Sequence, residues 1–249
     1  MTPYLSIVIP VYNGGAEISA NAARVLAYLD KKNFSSEVIL VNDGSSDDTG
    51  KALASIQDAR VRVITNEKNI GKGYSVKRGM LSAKGEFVVF CDADLAYPIE
   101  QVDGLLDRLE AGSDIAIGSR VHKESIFILH CRDLRYIFIR HLLSRTFNLL
   151  IRLILVKGIT DTQIGFKGFT RNAAQTLFSR QTARDFSFDI EILYLARKAG
   201  LQIKEIPVTL VYSSGASAVS MLRDPFSMPL RALKVLYRYY SGGYGLSKR

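Results

Sequence analysis

Phe87-Val88-Val89-Phe90-Cys91-Asp92-Ala93-Asp94-Leu95 is an apolar run of strand length that ends on two carboxylates two residues apart. Phe87 to Phe90 reads as a buried strand, which places the aspartates at its C-terminal end. Parallel sheets open their ligand sites there, outside the carboxyl ends of the strands. Asp92 and Asp94 at such an end suit a hard divalent cation, which takes oxygen ligands and commonly brings a substrate phosphate. The other reading of Asp-x-Asp is a solvated surface loop, and the apolar run before it argues against that.

This run, Glu86 to Phe90, has others of the same kind on either side: Leu5 to Val11, Glu37 to Val41, Arg60 to Ile64 and Asp114 to Ile117. Helix-like stretches separate them, from Ala16 to Lys31, Ser46 to Gln57, Gly73 to Ala83 and Ile99 to Glu110. Asp47-Asp48 in one first turn and Pro98 at the head of another suit helix starts. Strands alternating with helices predict an α/β fold, a mostly parallel sheet flanked by helices. The loops after the strands then share one edge. They carry Tyr12-Asn13-Gly14-Gly15, Asn42-Asp43-Gly44-Ser45-Ser46, Asn69-Ile70-Gly71-Lys72-Gly73 and the aspartate pair. Asp43 can accept from a uracil imide or a ribose hydroxyl, Tyr12 can stack on a base, and Lys72 can meet a diphosphate at a helix start. Each alone also reads as a turn or a helix cap; their convergence favours a ligand site. Gly71-Lys72-Gly73 is neither a dinucleotide fingerprint nor a Walker A loop.

Composition narrows the class. The 249 residues are 47% hydrophobic and 23% charged, an ordinary globular balance. One domain over 1–249 is expected. The net charge of +9 points to an anionic partner. Cys91 and Cys131 are too few for a disulfide framework or a zinc site, which suits a reducing compartment. No window holds the ~18 apolar residues of a membrane span. The cations are interleaved with aliphatics and no nucleic-acid motif is visible, so nucleic acid is not the expected partner.

In family order, the segments SIVIPVYN, VNDGSSDDT, NIGKGYSVKRGM, CDADLAYP, IAIGSR, DTQIGFKGF, FSFDIEILYLARKAG and IKEIPV make the chain resemble glycosyltransferase family two, with its nucleotide-diphosphosugar transferase fold. DTQIGFKGF and FDIEILYLA resemble the polyprenyl-phosphate branch, that of dolichyl-phosphate β-glucosyltransferases and the related mannose synthases. The resemblance implies inverting transfer of a hexose from a nucleotide-sugar to dolichyl or another polyprenyl phosphate, with UDP-glucose favoured over GDP-mannose. It implies that Pro10, Tyr12, Val41 and Asp43 hold the nucleoside, with Glu17 and Lys72 near the donor. Asp92 and Ala93 touch the nucleotide, and Asp94 with Asp92 coordinates Mg²⁺ or Mn²⁺. Arg223 closes over the donor. Arg120, Arg140 and Ser144 bind the acceptor phosphate. Three positions depart from the pattern: Ala96 replaces a common glutamine, Gly14-Gly15-Ala16 displaces the acidic position to Glu17, and Ala218 replaces a lysine.

The implied reaction explains the residue types. Charge develops on the leaving diphosphate, where a divalent ion is a clamp and Lewis acid. The nucleophile, a phosphomonoester with a second pKa of about 6, is already mostly a dianion at neutral pH. No strong general base is needed; the task is to hold two polyanions together, which arginine forks suit. Lys167 is a further candidate for that charge. Asp161 and Gln163 orient the acceptor or its water, or else cap the turn before a strand from Phe166 to Phe169.

Between Arg120 and Lys157, eight Lys/Arg face two acidic residues. This stretch is expected to be an amphipathic basic helical segment over 120–157, split into two helices. Residues 213–249 are expected to be a flexible loop and a C-terminal amphipathic helix on which Arg231, Lys234 and Arg238 share a face. Both segments predict a peripheral protein on the cytoplasmic face of a membrane. A soluble or polysaccharide acceptor is the alternative, and would need no such surface.

Overall fold

The computed structural model describes residues 2–15, 17–128, 156, 158–211 and 233–245. Five strands follow the expected order: β1 (Leu5–Val11), β2 (Ser36–Asn42), β3 (Val61–Thr65), β4 (Phe87–Cys91) and β5 (Ile115–Ser119). The helices between them are α1 (Glu17–Leu29), α2 (Thr49–Ala54), α3 (Lys72–Ser82) and α4 (Val102–Glu110), the last preceded by a 3-10 turn, Ile99–Gln101. A short strand β6 (Ile126–Ile128) follows, then β7 (Phe166–Thr170), α5 (Arg171–Arg180), α6 (Phe188–Lys198), β8 (Ile203–Pro207) and β9 (Thr209–Val211). A last helix, α7, covers 233–240.

The main sheet runs β3-β2-β1-β4-β7-β5-β8, and β6 pairs with β9 in a separate ribbon. Every pairing of the main sheet is parallel except those of β7, which runs antiparallel between β4 and β5. The expectation of a mostly parallel sheet therefore holds, with one inserted strand. The inversion matters for function. The start of β7, not its end, lies at the edge where β1, β2, β4 and β5 finish.

β1, β4 and β5 are buried at every position, which is why they read as unbroken apolar runs. On one face α3, α5 and α6 bury Val76, Met80, Phe178 and Leu193 against Val8, Val41, Phe90 and Phe169. On the other, α1 and α4 bury Ile18, Val25, Leu105 and Leu109 against Ile7, Ile9, Leu40 and Val89. Cutting a side chain such as Phe90 to alanine in this core costs about 3–5 kcal/mol. Gly79 lets α3 lie close on β1: a Cβ there would fall 2.3 Å from Cγ1 of Val8.

Three local expectations change. α2 is shorter than Ser46 to Gln57, and Asp47 and Asp48 stand before it rather than in its first turn. Pro98 precedes the 3-10 turn as its N-cap. Of the segment 120–157, the described stretch 120–128 is a turn and strand β6, not helix; 129–155 lies outside the described residues. No helix of the described residues is long and apolar enough to cross a membrane.

Candidate active site

The two aspartates leave β4 in a tight turn. The amide of Leu95 donates to the carbonyl of Asp92 at 3.1 Å, and Leu95 is held at φ +46°. A leucine in the left-handed region is strained, by roughly 1–2 kcal/mol, and such strain gathers at functional turns. Two neighbours fix the turn. Asn21 of α1 donates from Nδ2 to the carbonyl of Ala93 at 2.8 Å. The amide of Asp92 donates to the carbonyl of Gly165, just before β7, at 3.2 Å. Asp94 opens to solvent, and its Oδ1 accepts from the amide of Ala96 at 3.1 Å. Surrounding protein and the charge of Asp92 raise the Asp94 carboxyl above the ordinary range.

Lys72 faces this turn from the first position of α3, its Nζ 2.6 Å from Oδ1 of Asp92. Burial works against its charge, but Asp92, Asp189 and Asp94 outweigh it, so the ammonium is held more firmly than usual. The rings of Phe90 and Phe186 lie 5.6 and 5.4 Å from it. The glycines flanking Lys72 serve packing. A Cβ on Gly71 would fall 2.4 Å from the carbonyl of Arg184, and one on Gly73 2.7 Å from that of Asp185. Beneath lies Lys167, 1% exposed and ion-paired with buried Asp189. Lys167 is thus committed inside the fold, and the expectation that it meets an acceptor is corrected.

On the nucleoside side, Tyr12 is 50% exposed beside the turn of Asn13. Pro10 and Val41 are buried register partners, and Val41 faces Gly79 of α3, so these two can offer a ligand their backbone only. Asp43 is buried. Its carboxylate accepts from Nδ2 of Asn66 (2.7 Å) and from the amides of Ile70 (3.1 Å) and Gly71 (2.8 Å), tying the β2–α2 loop to the β3–α3 loop. Glu17 is exposed in the first turn of α1. Asp47 takes the amide of Gly15 at 3.0 Å, lacing the first two loops together.

The second charged centre stands at the end of β5. Arg120 directs Nε and Nη2 at the carboxylate of Asp161, at 2.6 and 2.8 Å, and its amide joins at 3.1 Å. Asp161 is fully buried, yet Arg120 holds its carboxyl below the ordinary range against the pull of burial. Glu205 of β8 holds the segment in turn, accepting from the amides of Thr160 and Asp161 at 2.9 and 3.1 Å. Gln163 is half-buried on the same approach to β7. The fork spends its Nε–Nη2 edge on Asp161, and among the described residues no hydrogen bond is seen at Nη1.

One edge of the sheet therefore gathers Tyr12, Asp43, Lys72, Asp92, Ala93, Asp94, Arg120, Asp161 and Gln163. Arg140, Ser144 and Arg223 lie outside the described residues. Asn21, Gly165, Asp189 and Glu205 were not singled out from sequence; only the glycine ahead of an apolar strand carried a local signal, that of a close backbone approach. Volume does not locate the site. A cavity of about 790 Å³ lies at the opposite end of the sheet, beside Tyr4, Phe87 and Arg171.

Asp92 and Asp94 fit a divalent ion. The described residues hold no cluster of three or more His, Cys, Asp or Glu. Two carboxylates that leave the remaining positions to phosphate oxygens and water are the Mg²⁺ or Mn²⁺ pattern, not that of an all-protein cage.

Such a sheet, with an Asp-x-Asp turn faced by a lysine and an arginine fork across β7, defines a nucleotide-sugar glycosyltransferase. Residues 6–178 match the model of glycosyl transferase family 2, and the chain belongs to that family. It is 36% identical over 266 residues to the dolichyl-phosphate beta-glucosyltransferase of Homo sapiens, covering 99% of this chain and 79% of that one. It is 32% identical over 256 residues to that of Dictyostelium discoideum, covering 96% and 76%. Among solved structures it resembles the glucosyl-3-phosphoglycerate synthase of Mycobacterium tuberculosis in complex with Mn²⁺, UDP-glucose and glycerol 3-phosphate. That match has a TM-score of 0.65 at 20% identity, over 99% of this chain and 82% of that one, and shows the shared fold.

Proposed function

We propose that this enzyme transfers glucose, with inversion, from UDP-glucose to dolichyl phosphate or a closely related polyprenyl phosphate at the cytoplasmic face of a membrane. One observation carries the reading: the sheet edge presents two separate anion-handling centres. The Lys72–Asp92–Asp94 centre ends β4, and the Asp161-aligned Arg120 ends β5, with β7 between them. A donor diphosphate and an acceptor phosphate need such a division. The names of the relatives supply the glucose and the dolichyl phosphate.

In this reading Tyr12, Asp43 and the backbone at Pro10 and Val41 receive the nucleoside, Ala93 lies against it, and Glu17 and Arg223 lie toward the donor. Asp94, with Asp92, would hold Mg²⁺ or Mn²⁺, which when bound neutralises charge on the leaving diphosphate. Lys72 pairs with Asp92 at 2.6 Å and adds a fixed positive charge. Arg120, with Arg140 and Ser144, receives the acceptor phosphate; Asp161 fixes the guanidinium plane so that one edge faces the incoming anion. Gln163 borders this approach. The acceptor dianion is itself the nucleophile, so these groups orient and screen rather than remove a proton.

Membrane contact is supported by α7. Leu233, Tyr237 and Tyr240 are 57%, 76% and 61% exposed, beside exposed Lys234 and Arg238, while Val235 and Tyr239 pack inward. Arg231 lies outside the described residues.

The test is a thermal-shift titration with UDP-glucose, UDP-N-acetylglucosamine and GDP-mannose, each with Mn²⁺, followed by transfer of labelled glucose to dolichyl phosphate. Tight ligands stabilise by the logarithm of concentration over Kd. UDP-glucose should give the largest shift and a lipid-soluble labelled product. A larger shift with GDP-mannose, or label appearing only in soluble products, would overturn the reading.

A further inference from the structure

We propose that the outer face of the β6–β9 ribbon is the track for the first isoprene units of the acceptor, extending from the phosphate at Arg120. The inference rests on the proposed acceptor being a polyprenyl phosphate, and it names where the chain lies. The ribbon pairs Ile126 with Thr209, Phe127 with Leu210 and Ile128 with Val211, in parallel register. Alternate residues of a strand share a face. Leu210 turns inward, half-buried, and packs on the core cluster on that side of the sheet. The opposite face presents Ile126, Ile128 and Val211, which are 57%, 50% and 36% exposed. Val121, next to Arg120, is 43% exposed.

Single exposed apolar side chains are ordinary. Three β-branched ones in register on an isolated two-stranded ribbon are not, because such a ribbon is marginal by itself. This ribbon is fastened to both halves of the site. On the acceptor side, Ser125 donates from Oγ to the carbonyl of Ser119 at 2.6 Å, and the amide of Val208 donates to that same hydroxyl at 3.0 Å. On the donor side, the amide of Val211 donates to the carbonyl of Ala96, two residues past Asp94, at 2.9 Å. Gln101 pins Thr209 from both its amide nitrogen and oxygen, at 2.9 and 2.6 Å.

A branched apolar face thus adjoins the cation proposed for the phosphate and is locked to the turn proposed for the diphosphate. An isoprenyl phosphate has the matching order: an anion, then a chain of methyl-branched units. A sugar phosphate or a polysaccharide would gain nothing from this face.

The experiment compares the wild type with Ile126→Ser/Ile128→Ser in detergent micelles, using dimethylallyl phosphate and farnesyl phosphate as acceptors. Both side chains are exposed, so the melting temperature and UDP-glucose affinity should stay unchanged; those two measurements control for misfolding. The wild type should prefer farnesyl phosphate. The variant should lose that preference, its KM for farnesyl phosphate rising about tenfold while its KM for dimethylallyl phosphate, which has a single unit to lay on the track, rises far less. Equal rises for both acceptors, or no rise for either, would overturn the track. So would an unchanged micellar KM with weaker sedimentation on liposomes, which would make the face a bilayer contact. A wild type that glucosylates no isoprenyl phosphate would overturn the functional reading itself, and the track with it.

Discussion

Gly165 and Asp92 leave no room for a methyl group between them: a Cβ at residue 165 would fall 2.0 Å from Oδ2 of Asp92 and 2.4 Å from its Cγ. The amide of Asp92 also donates to the carbonyl of Gly165. The carboxylate that faces Lys72 is therefore seated against the bare backbone that leads into β7.

Gly165→Ala should push that carboxylate out of place while leaving β7 in the sheet. Displacing a reacting or metal-holding group by about 1 Å can cost on the order of 100-fold in rate. We expect kcat/KM for UDP-glucose to fall by about that factor, with the apparent Mn²⁺ requirement raised and the circular dichroism spectrum retained. Near-native activity would show that Asp92 has slack the structure does not suggest.

This pair also marks where the sequence stops being readable. β1, β2, β4 and β5 were legible because strands buried on both faces must be continuously apolar, and the Asp-x-Asp turn was legible because it interrupts such a run. The antiparallel insertion of β7 was not, since Phe166 to Phe169 looks the same in either direction. Only the direction brings Gly165 to Asp92 and Asp161 to Arg120. Glu205 and Asp189 were hidden for a related reason: a carboxylate turned into the fold, half-buried at Glu205 and buried at Asp189, has the spelling of a surface one, and its donors lie tens of residues away. Asp47 has the spelling of a first-turn charge, although its work is to bind the amide of Gly15 across loops.

Asp94→Asn should separate stability from activity. A carboxyl whose folded pKa lies above its unfolded value favours the fold while protonated, and that contribution is lost as pH rises through the folded value. Asp94 is such a group, so at neutral pH its ionised form works against the fold. The asparagine variant should therefore melt no lower than wild type without metal, yet lose turnover by on the order of 100-fold or more. It should also lose the added thermal shift that Mn²⁺ gives with UDP. In the wild type, Mn²⁺-dependent UDP binding should weaken on the acid side at a higher pH than an ordinary aspartate, near 3.9, would allow. A variant with wild-type turnover would remove Asp94 from the metal.

Arg120→Ala and Asp161→Asn should act on the acceptor and spare the donor. Both should raise the KM for lipid phosphate or lower turnover, with UDP-glucose affinity by calorimetry changed by less than about twofold, as expected where β7 separates two sites with no shared hydrogen-bond partner. Arg120→Ala also strands a buried carboxylate. Its cost in stability should fall below the roughly 3–5 kcal/mol of a fully buried broken pair, because the Arg120 side chain is 25% exposed. Asp161 has a lowered folded pKa, so the pair stabilises above the ordinary aspartate range and loses that effect as pH falls through the folded value. Urea midpoints of wild type and Asp161→Asn should therefore converge only below that range. Donor affinity falling as steeply as acceptor affinity would mean that the two anion centres are one.

The membrane prediction is carried by α7 and can be divided into two forces. Lys234 and Arg238 supply an electrostatic part, worth roughly 1 kcal/mol for each cation near an anionic leaflet. That part should fade as salt shortens a Debye length of about 10 Å at 0.1 M. Leu233 and Tyr237 supply an apolar part that salt does not weaken. Lys234→Glu/Arg238→Glu should therefore lower sedimentation with anionic liposomes at low salt and match wild type at high salt. Leu233→Ser/Tyr237→Ser should lower it at both. All four side chains are exposed, so neither variant should shift the melting temperature by more than a degree or two, and turnover on farnesyl phosphate in micelles should survive. If both double variants sediment like wild type at every salt concentration, α7 does not face the lipid, and its exposed stripe must serve something other than a bilayer.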